Sequence, residues 1–199
     1  VCDEMGAALQ RAAFSPNIRD RLDYSCAVFD ADGELCAQAA HIPVHLESMA
    51  FAMRGIVEGI DCKEGDMVIL NDPYMGGTHL PDVTVIAPVF IDKQVLGFVA
   101  NRAHHADIGA EQPGSMPLST SLQQEGLFIR PQKLVEHGAI NEAKMNRLMK
   151  PLRNTAESTG DFSAQIAANR RGYHRLIELV RQMGIQRYLE ALEALNNYA

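Results

Sequence analysis

The sequence predicts an α+β fold, in which a mixed or antiparallel sheet holds a buried hairpin over residues 82–103. Three observations predict it. Apolar residues at helical spacing indicate one amphipathic helix near 46–60. The strands 82–90 and 95–103 are mostly apolar on both faces, which is typical of strands inside a covered sheet. Helical periodicity also fills most of a C-terminal segment over 141–199.

The N-terminal part is predicted to contain a helix followed by a hairpin. Met5 and Leu9 lie on one side of a helix over the first dozen residues, which Pro16 stops. The apolar strand 25–29 is followed by turn residues at 30–33, and residues 35–39 return as a second strand.

The central part is predicted to be a strand, a loop and the buried hairpin. Residues 67–70 form a short apolar strand, and glycine and proline indicate a loop over 71–82. A two-residue turn at 92–93 would place Asp82 opposite Ala103.

The rest of the chain is predicted to be a long loop and three helices. A loop as long as 106–132 is typically functional or disordered. The helices span about 141–150, 162–182 and 184–196. The second carries three arginines that indicate a solvated face or a subunit contact: Arg170, Arg171 and Arg175.

Length and composition indicate one globular domain. The chain has 199 residues, 47% hydrophobic residues and a formal charge of −7. The acidic balance argues against a nucleic-acid partner, and no apolar run reaches the roughly 18 residues of a membrane helix. No signal peptide is recognisable, and the four cysteines form no Cys-x-x-Cys pair. We therefore expect reduced, buried thiols and a cytoplasmic location.

Histidine carries the strongest chemical signal, since five of seven lie between residues 41 and 105. His79 and Asp82 lie in the glycine-rich loop, and His104 follows at the open end of the same hairpin. Two imidazoles and a carboxylate with open positions suit Zn, Mn or Fe(II). The alternative is a hydrogen-bonded cluster that pins a buried loop.

Other polar residues have two interpretations each. His41 and His45 flank Pro43 and would line a pocket, although His45 also suits a helix start. Asp72 is either a turn former or a carboxylate that supports the imidazoles. Neither a Walker loop nor a G-x-G-x-x-G motif is found, so no nucleotide site is expected here.

Several segments in order resemble the hydantoinase B/oxoprolinase family. This family includes the B-type subunits of N-methylhydantoinase and relatives among the acetone and acetophenone carboxylases. The resemblance runs over nearly the whole chain, through residues 21–30, 41–45, 65–66, 71–74, 76–82, 102–109, 124–126 and 165–171.

The resemblance implies a divalent metal, manganese in acetone carboxylase, at His79, Asp82 and His104. It places further family-typical residues around that metal. Those assigned to support the ligands or contact substrate are His45, Asp72 and Glu125, and those assigned to move a proton are His105 and Asp107.

The resemblance also implies a division of labour. ATP would bind to an A-type partner subunit in a hetero-oligomer, and this chain would act on a small-molecule substrate. Family B subunits are longer, so residues 1–199 are expected to be one domain, the N-terminal portion of such a subunit.

The function predicted from these features is that of a metal-binding subunit of an ATP-dependent hydrolase acting on cyclic amides. It would open a hydantoin or a 5-oxoproline-like ring. Three alternatives stay open: a subunit of an ATP-dependent ketone carboxylase, a non-haem Fe(II) oxygenase, and a non-catalytic truncated assembly module.

Overall fold

The computed structural model describes residues 1–40, 45–112 and 118–198, and these form a seven-stranded antiparallel sheet with helices on both faces. The strand order is β2-β1-β5-β4-β3-β6-β7. The strands are β1 Tyr24–Asp30, β2 Leu35–Ala40, β3 Met67–Leu70, β4 Asp82–Ile91, β5 Gln94–His104, β6 Gln132–Glu136 and β7 Ala139–Ile140.

The helices confirm the α+β class, the amphipathic helix and the helical C-terminal segment. They are α1 Cys2–Ala12, α2 Pro16–Arg19, α3 His45–Gly59, α4 Leu122–Glu125, α5 Glu142–Met149, α6 Thr155–Met183 and α7 Ile185–Tyr198. A 3₁₀ turn covers Pro73–Met75. Helix α6 begins seven residues before the predicted start, because the Asn154 side chain caps it by accepting from Glu157 N at 3.3 Å.

The β4–β5 hairpin is central in the sheet, as predicted, but its register differs by one residue. The turn residues Asp92 and Lys93 both have positive φ, the type I′ pattern that matches strand twist. A β-bulge at Leu96 then adds one residue to β5. The prediction that Asp82 faces Ala103 is therefore wrong, and Asp82 lies opposite His104.

Each face of the sheet packs against its own helices. On one face, α3 contributes Met49, Met53 and Ile56 to a core with Phe29 and other strand residues. On the other face, α1, α5 and α6 pack over the sheet in a second, larger core. Each fully buried side chain of this size stabilises the fold by about 1.5–3 kcal/mol.

The three arginines singled out on α6 lie on a partly exposed face, as one of the two interpretations predicted, and they also make contacts within the chain. Arg171 and Arg175 each lie within 2.9 Å of the Glu4 carboxylate on α1. Arg170 donates to Gly138 O at 2.9 Å. These contacts join α6 to α1 and to the β6–β7 turn, which the sequence did not predict.

Two further findings concern the described ranges. None of their helices has both the length and the apolar composition needed to cross a bilayer. The four cysteines are free thiols, of which Cys2 and Cys26 are buried, while Cys36 and Cys62 are only partly buried.

Candidate metal centre

Two imidazole nitrogens and one carboxylate oxygen converge at one end of the sheet. His79 Nε2 lies 3.1 Å from His104 Nδ1, and Asp82 Oδ1 lies 3.5 Å and 3.2 Å from these atoms. Metal–ligand bonds of about 2.1 Å meeting at about 90–110° put neighbouring ligand atoms about 3.0–3.4 Å apart. The spacing therefore fits a divalent metal.

Strand register and a glycine-rich loop produce this convergence. The bulge sets Asp82 and His104 side by side on the face that α3 covers. Gly76, at φ 85°, lets the loop lie on the α3 backbone, where a Cβ would stand 2.5 Å from Ala52 N. The loop then turns back so that Asp82 N donates to His79 O at 3.1 Å.

The two oxygens of Asp82 have different surroundings. Thr78 Oγ1 donates to Oδ2, and His45 Nε2 lies 3.5 Å from the same oxygen. Ser25 Oγ lies 3.1 Å from His45 Nδ1. If Ser25 donates this bond, His45 carries its proton on Nε2 and directs it at Asp82.

Asp82 Oδ1, in contrast, is buried and accepts no well-aligned hydrogen bond from the part of the chain that the structure describes. A buried carboxylate oxygen without a donor is costly. A cation would compensate the charge of Asp82 Oδ1. The lack of a donor at this buried oxygen is the observation that makes the residues fit a metal.

Charges within the cluster favour the protonation states that bind metal. Burial would raise the pKa of Asp82, but its contacts with His104, His45 and His79 outweigh burial and hold the pKa below its usual range. Burial lowers the pKa of His79, which keeps that imidazole neutral. An ionised carboxylate and a neutral imidazole are the forms that ligate metals.

A buried arginine lies beneath the cluster. Arg102 Nε donates to Thr84 Oγ1 at 2.8 Å, and Nη2 donates to Gly76 O at 2.6 Å. Nη1 donates to Ser48 Oγ. The guanidinium thus ties β4, α3 and the loop together, and desolvation by burial lowers the pKa of Arg102 to about 10.

The two residues predicted to be catalytic are not brought to the cluster. His105 points to the other face of the sheet, where its Nε2 lies 2.9 Å from Gln165 Oε1 and its ring packs on Phe162. Asp107 accepts backbone N–H groups from Gly109, Arg153 and Asn154 at 2.7–3.0 Å. Both side chains therefore make structural contacts on the other side of the sheet from the cluster, and their assignment as proton carriers stays a prediction.

The three residues predicted to support the ligands or contact substrate, His45, Asp72 and Glu125, lie in different surroundings. His45 contacts Asp82, as described above. Asp72 caps the 3₁₀ turn by accepting from Tyr74 N at 2.9 Å. Glu125 accepts from Ser119 Oγ at 3.3 Å, and its charge is among those that raise the pKa of His79 against the larger effect of burial. His41 lies outside the described residues.

Four residues around the cluster received no role from the sequence. They are Asp23, Ser25, Thr78 and Arg102. Arg102 could have been recognised from the sequence, because it is a charged residue in a mostly apolar strand. A buried arginine requires partners, so such a residue indicates a polar site nearby. Asp23 lies 3.8 Å from His104 Nδ1, and no pattern along the sequence indicated that approach.

Comparison with known proteins gives a consistent result. A family model described as hydantoinase B/oxoprolinase matches residues 1–199. A 5-oxoprolinase from Dictyostelium discoideum is 43% identical, with 93% of this chain and 15% of that protein covered. The ATP-dependent caprolactamase from Pseudomonas jessenii is 31% identical with a TM-score of 0.87, covering 97% of this chain and 34% of that one.

A further solved structure shows the same fold. Nucleotide-free acetone carboxylase has a TM-score of 0.88 at 23% identity, covering 94% of this chain and 25% of that one. The chain spans 15% to 35% of the length of the curated relatives compared.

Proposed function

Because the chain belongs to the hydantoinase B/oxoprolinase family, we propose that it forms the metal-binding part of an ATP-dependent enzyme that hydrolyses cyclic amides. The substrate would be a hydantoin or a 5-oxoproline-like ring. Two relatives support this choice, since 5-oxoprolinase and caprolactamase are both named for cyclic amides. The likeness to acetone carboxylase is below 25% identity and concerns the fold, so ketone carboxylation is kept as the outcome of a test.

The observation that carries the proposal is the triangle of His79 Nε2, Asp82 Oδ1 and His104 Nδ1, with sides of 3.1–3.5 Å. Asp82 Oδ1 is buried and lacks a well-aligned donor among the residues described. The two histidine side chains are 28% and 14% exposed, so the triangle has one open side from which a small molecule could approach.

The residues of the chain have distinct roles in this proposal. His79, Asp82 and His104 would hold the metal, which as a Lewis acid would polarise a carbonyl or activate water. Thr78 and His45 contact the Asp82 carboxylate at Oδ2, so Oδ1 would be available to hold the cation. Arg102 holds the loop that carries His79 against α3.

The rest of the enzyme would lie outside residues 1–199. We propose that these residues are one domain, the N-terminal portion of a longer B-type subunit. ATP would bind to an A-type partner in a hetero-oligomer, and cleavage of ATP would drive opening of a stable ring. We propose a cytoplasmic enzyme, in keeping with the four free thiols.

Metal content tests the proposal directly. Full-length wild-type protein is expected to bind about one Mn, Zn or Fe per chain, measured by plasma mass spectrometry. His79→Ala and Asp82→Ala should each lose the metal while circular dichroism shows a retained fold. His174→Ala is the matched control, since His174 is exposed on α6 and should keep the metal.

Absence of metal from reconstituted wild-type protein would contradict the proposal, and so would its retention in both ligand variants. Activity then separates the substrate classes. With the A-type partner and ATP, ring opening of hydantoin or 5-oxoproline supports the proposal. If these rings are not opened and acetone is carboxylated with bicarbonate instead, the protein would be a carboxylase subunit.

A further inference from the structure

A buried amide on α6 bridges the two strands that carry Asp82 and His104. Gln165 Nε2 donates to Val83 O at 2.9 Å, and Gln165 Oε1 lies 2.9 Å from His105 Nε2. Val83 directly follows Asp82 on β4. His105 directly follows His104, the last residue of β5. One side chain therefore contacts the neighbours of two of the three candidate ligands, from the opposite face of the sheet.

The backbone determines which way round this amide lies. Val83 O can only accept, so the Gln165 atom beside it is the NH₂ nitrogen, and Oε1 faces His105. Because Oε1 can only accept as well, His105 donates from Nε2. Two directed hydrogen bonds through one side chain thus join Val83 to His105.

Two further amides hold Gln165 itself. Gln165 Nε2 also donates to Asn101 Oδ1 at 2.9 Å, and Asn101 Nδ2 donates to Gln165 O at 2.9 Å. Asn101 Nδ2 donates to Asn169 Oδ1 at 2.8 Å, and Asn169 Nδ2 donates to Val85 O at 2.9 Å. All three amides are buried, so removing one would leave buried polar partners unpaired.

The spacing of these amides on α6 matches the spacing of carbonyls on β4. Gln165 and Asn169 are four residues apart, which places them on one face of the helix, separated by about 6 Å along its axis. Val83 and Val85 are two residues apart on the strand, a separation of about 6.6 Å. The two amides therefore bond to alternate carbonyls of β4 and hold α6 in one register along that strand.

The bridge lies where the two strands would otherwise separate most readily. Asp82 and His104 form the last pair of the β4–β5 ladder, and the ends of such ladders fray first. His105 lies beyond that pair, and its backbone N donates to Pro81 O at 2.9 Å. Gln165 ties this first residue beyond the ladder back to β4. The distance of 3.2 Å between Asp82 Oδ1 and His104 Nδ1, which suits a shared metal, is set at this point.

Building on the proposed function, we propose that Gln165 is a positioning residue of the metal centre. Its amide acts through Val83 and His105, which it holds from the α6 face of the sheet. The separation of the ligand atoms of Asp82 and His104 on the opposite face depends on that bridge.

Manganese binding by the full-length protein tests this role. Gln165→Met keeps the size of the side chain and removes its hydrogen bonds, so isothermal titration should show about tenfold weaker binding of Mn²⁺. Asn169→Leu is the matched control, because it removes a buried amide of the same network at Val85, three residues beyond Asp82. Both variants should lower the melting temperature of the metal-free protein, and Asn169→Leu should bind Mn²⁺ as wild type does.

The electron paramagnetic resonance spectrum of bound Mn²⁺ provides a readout that lost stability alone would not change. It depends on the arrangement of the ligands, so the spectrum of saturated Gln165→Met should differ from that of wild type, and the spectrum of Asn169→Leu should not. If Gln165→Met does not fold, Gln165→Asn takes its place. Its amide is one methylene shorter and cannot reach Val83 O and His105 Nε2 together.

The outcomes separate this inference from the proposed function. If wild type binds Mn²⁺ and the Gln165 variant binds it as tightly, the role of Gln165 is refuted while the metal site stands. An equal loss of affinity in Asn169→Leu would also refute it, since the effect would then follow stability rather than ligand position. If wild type binds no metal, the proposed function fails and this inference fails with it.

Discussion

Gly76 offers a quantitative test of how the loop that carries His79 is held against α3. Its φ of 85° disfavours any other residue, and a Cβ there would stand 2.5 Å from both Ala52 N and Ser48 O. The left-handed conformation alone costs alanine about 1–2 kcal/mol. Separating the loop from the α3 backbone adds about 1–3 kcal/mol. Gly76→Ala should therefore destabilise the protein by about 3 kcal/mol in total.

Gly138 provides a control with the same backbone angle and no close neighbour. Its φ is 84°, and a Cβ there would have nothing within 4 Å. Gly138→Ala should cost only the conformational part, about 1 kcal/mol. The assay is urea-induced unfolding of the full-length protein, compared at equal m-values. Equal losses in the two variants would refute close packing of the loop on α3.

The same pair of variants should differ in metal affinity. Gly76 O accepts from Arg102 Nη2, and the loop carries His79, so displacing Gly76 moves a ligand. Gly76→Ala should lower the affinity for Mn²⁺ markedly, whereas Gly138→Ala should leave it unchanged. A variant that is destabilised but binds metal normally would show that the position of His79 does not depend on this contact.

Two further predictions concern carboxylates away from the cluster. Asp107→Asn should lose about 1–3 kcal/mol of stability, because an amide cannot accept all three backbone N–H bonds, yet keep its metal. Loss of metal at unchanged stability would instead support the predicted role of Asp107 at the site. Burial would raise the pKa of Asp66, but Lys133 and two backbone N–H groups outweigh it and lower the pKa. Its stabilisation is therefore complete above pH of about 4 and declines as pH falls below that. Asp66→Asn should flatten the loss of stability between about pH 4 and 2 in urea unfolding. An unchanged slope would contradict the ion pair with Lys133.

Elements with strong periodicity were predictable from the sequence. For the β4–β5 hairpin, the pairing of the strands was predictable but their exact register was not. The apolar strands and the two-residue turn predicted the pairing of β4 with β5. The bulge at Leu96 had a signal that was not used, since Gly97 is an isolated glycine in an apolar strand, and such a glycine indicates a bulge or a close backbone approach. A shift of one residue changes which side chains share a face, so Asp82 could be placed near His104 but not opposite it.

The candidate site was predictable as a set of residue types and not as an arrangement. His104 and His105 are adjacent in sequence, yet they point to opposite faces because strand side chains alternate. His104 is the one predicted to be the partner of Asp82, and the structure places His104 Nδ1 3.2 Å from Asp82 Oδ1. The β6–β7 pair was missed for a related reason. Lys133 and Glu136 make it look polar, although they form ion pairs with Asp66 and Lys144.

The three hydrogen bonds of Arg102 have a consequence for any redesign of this protein. One guanidinium joins a strand, a helix and a loop. Because Arg102 is buried, water cannot replace a hydrogen bond that it loses. A library that varies the loop for new substrates must therefore keep Arg102, Ser48 and Gly76 constant together, since a change at one leaves the other two mismatched. Useful diversity should instead be sought on the rim, at Glu125.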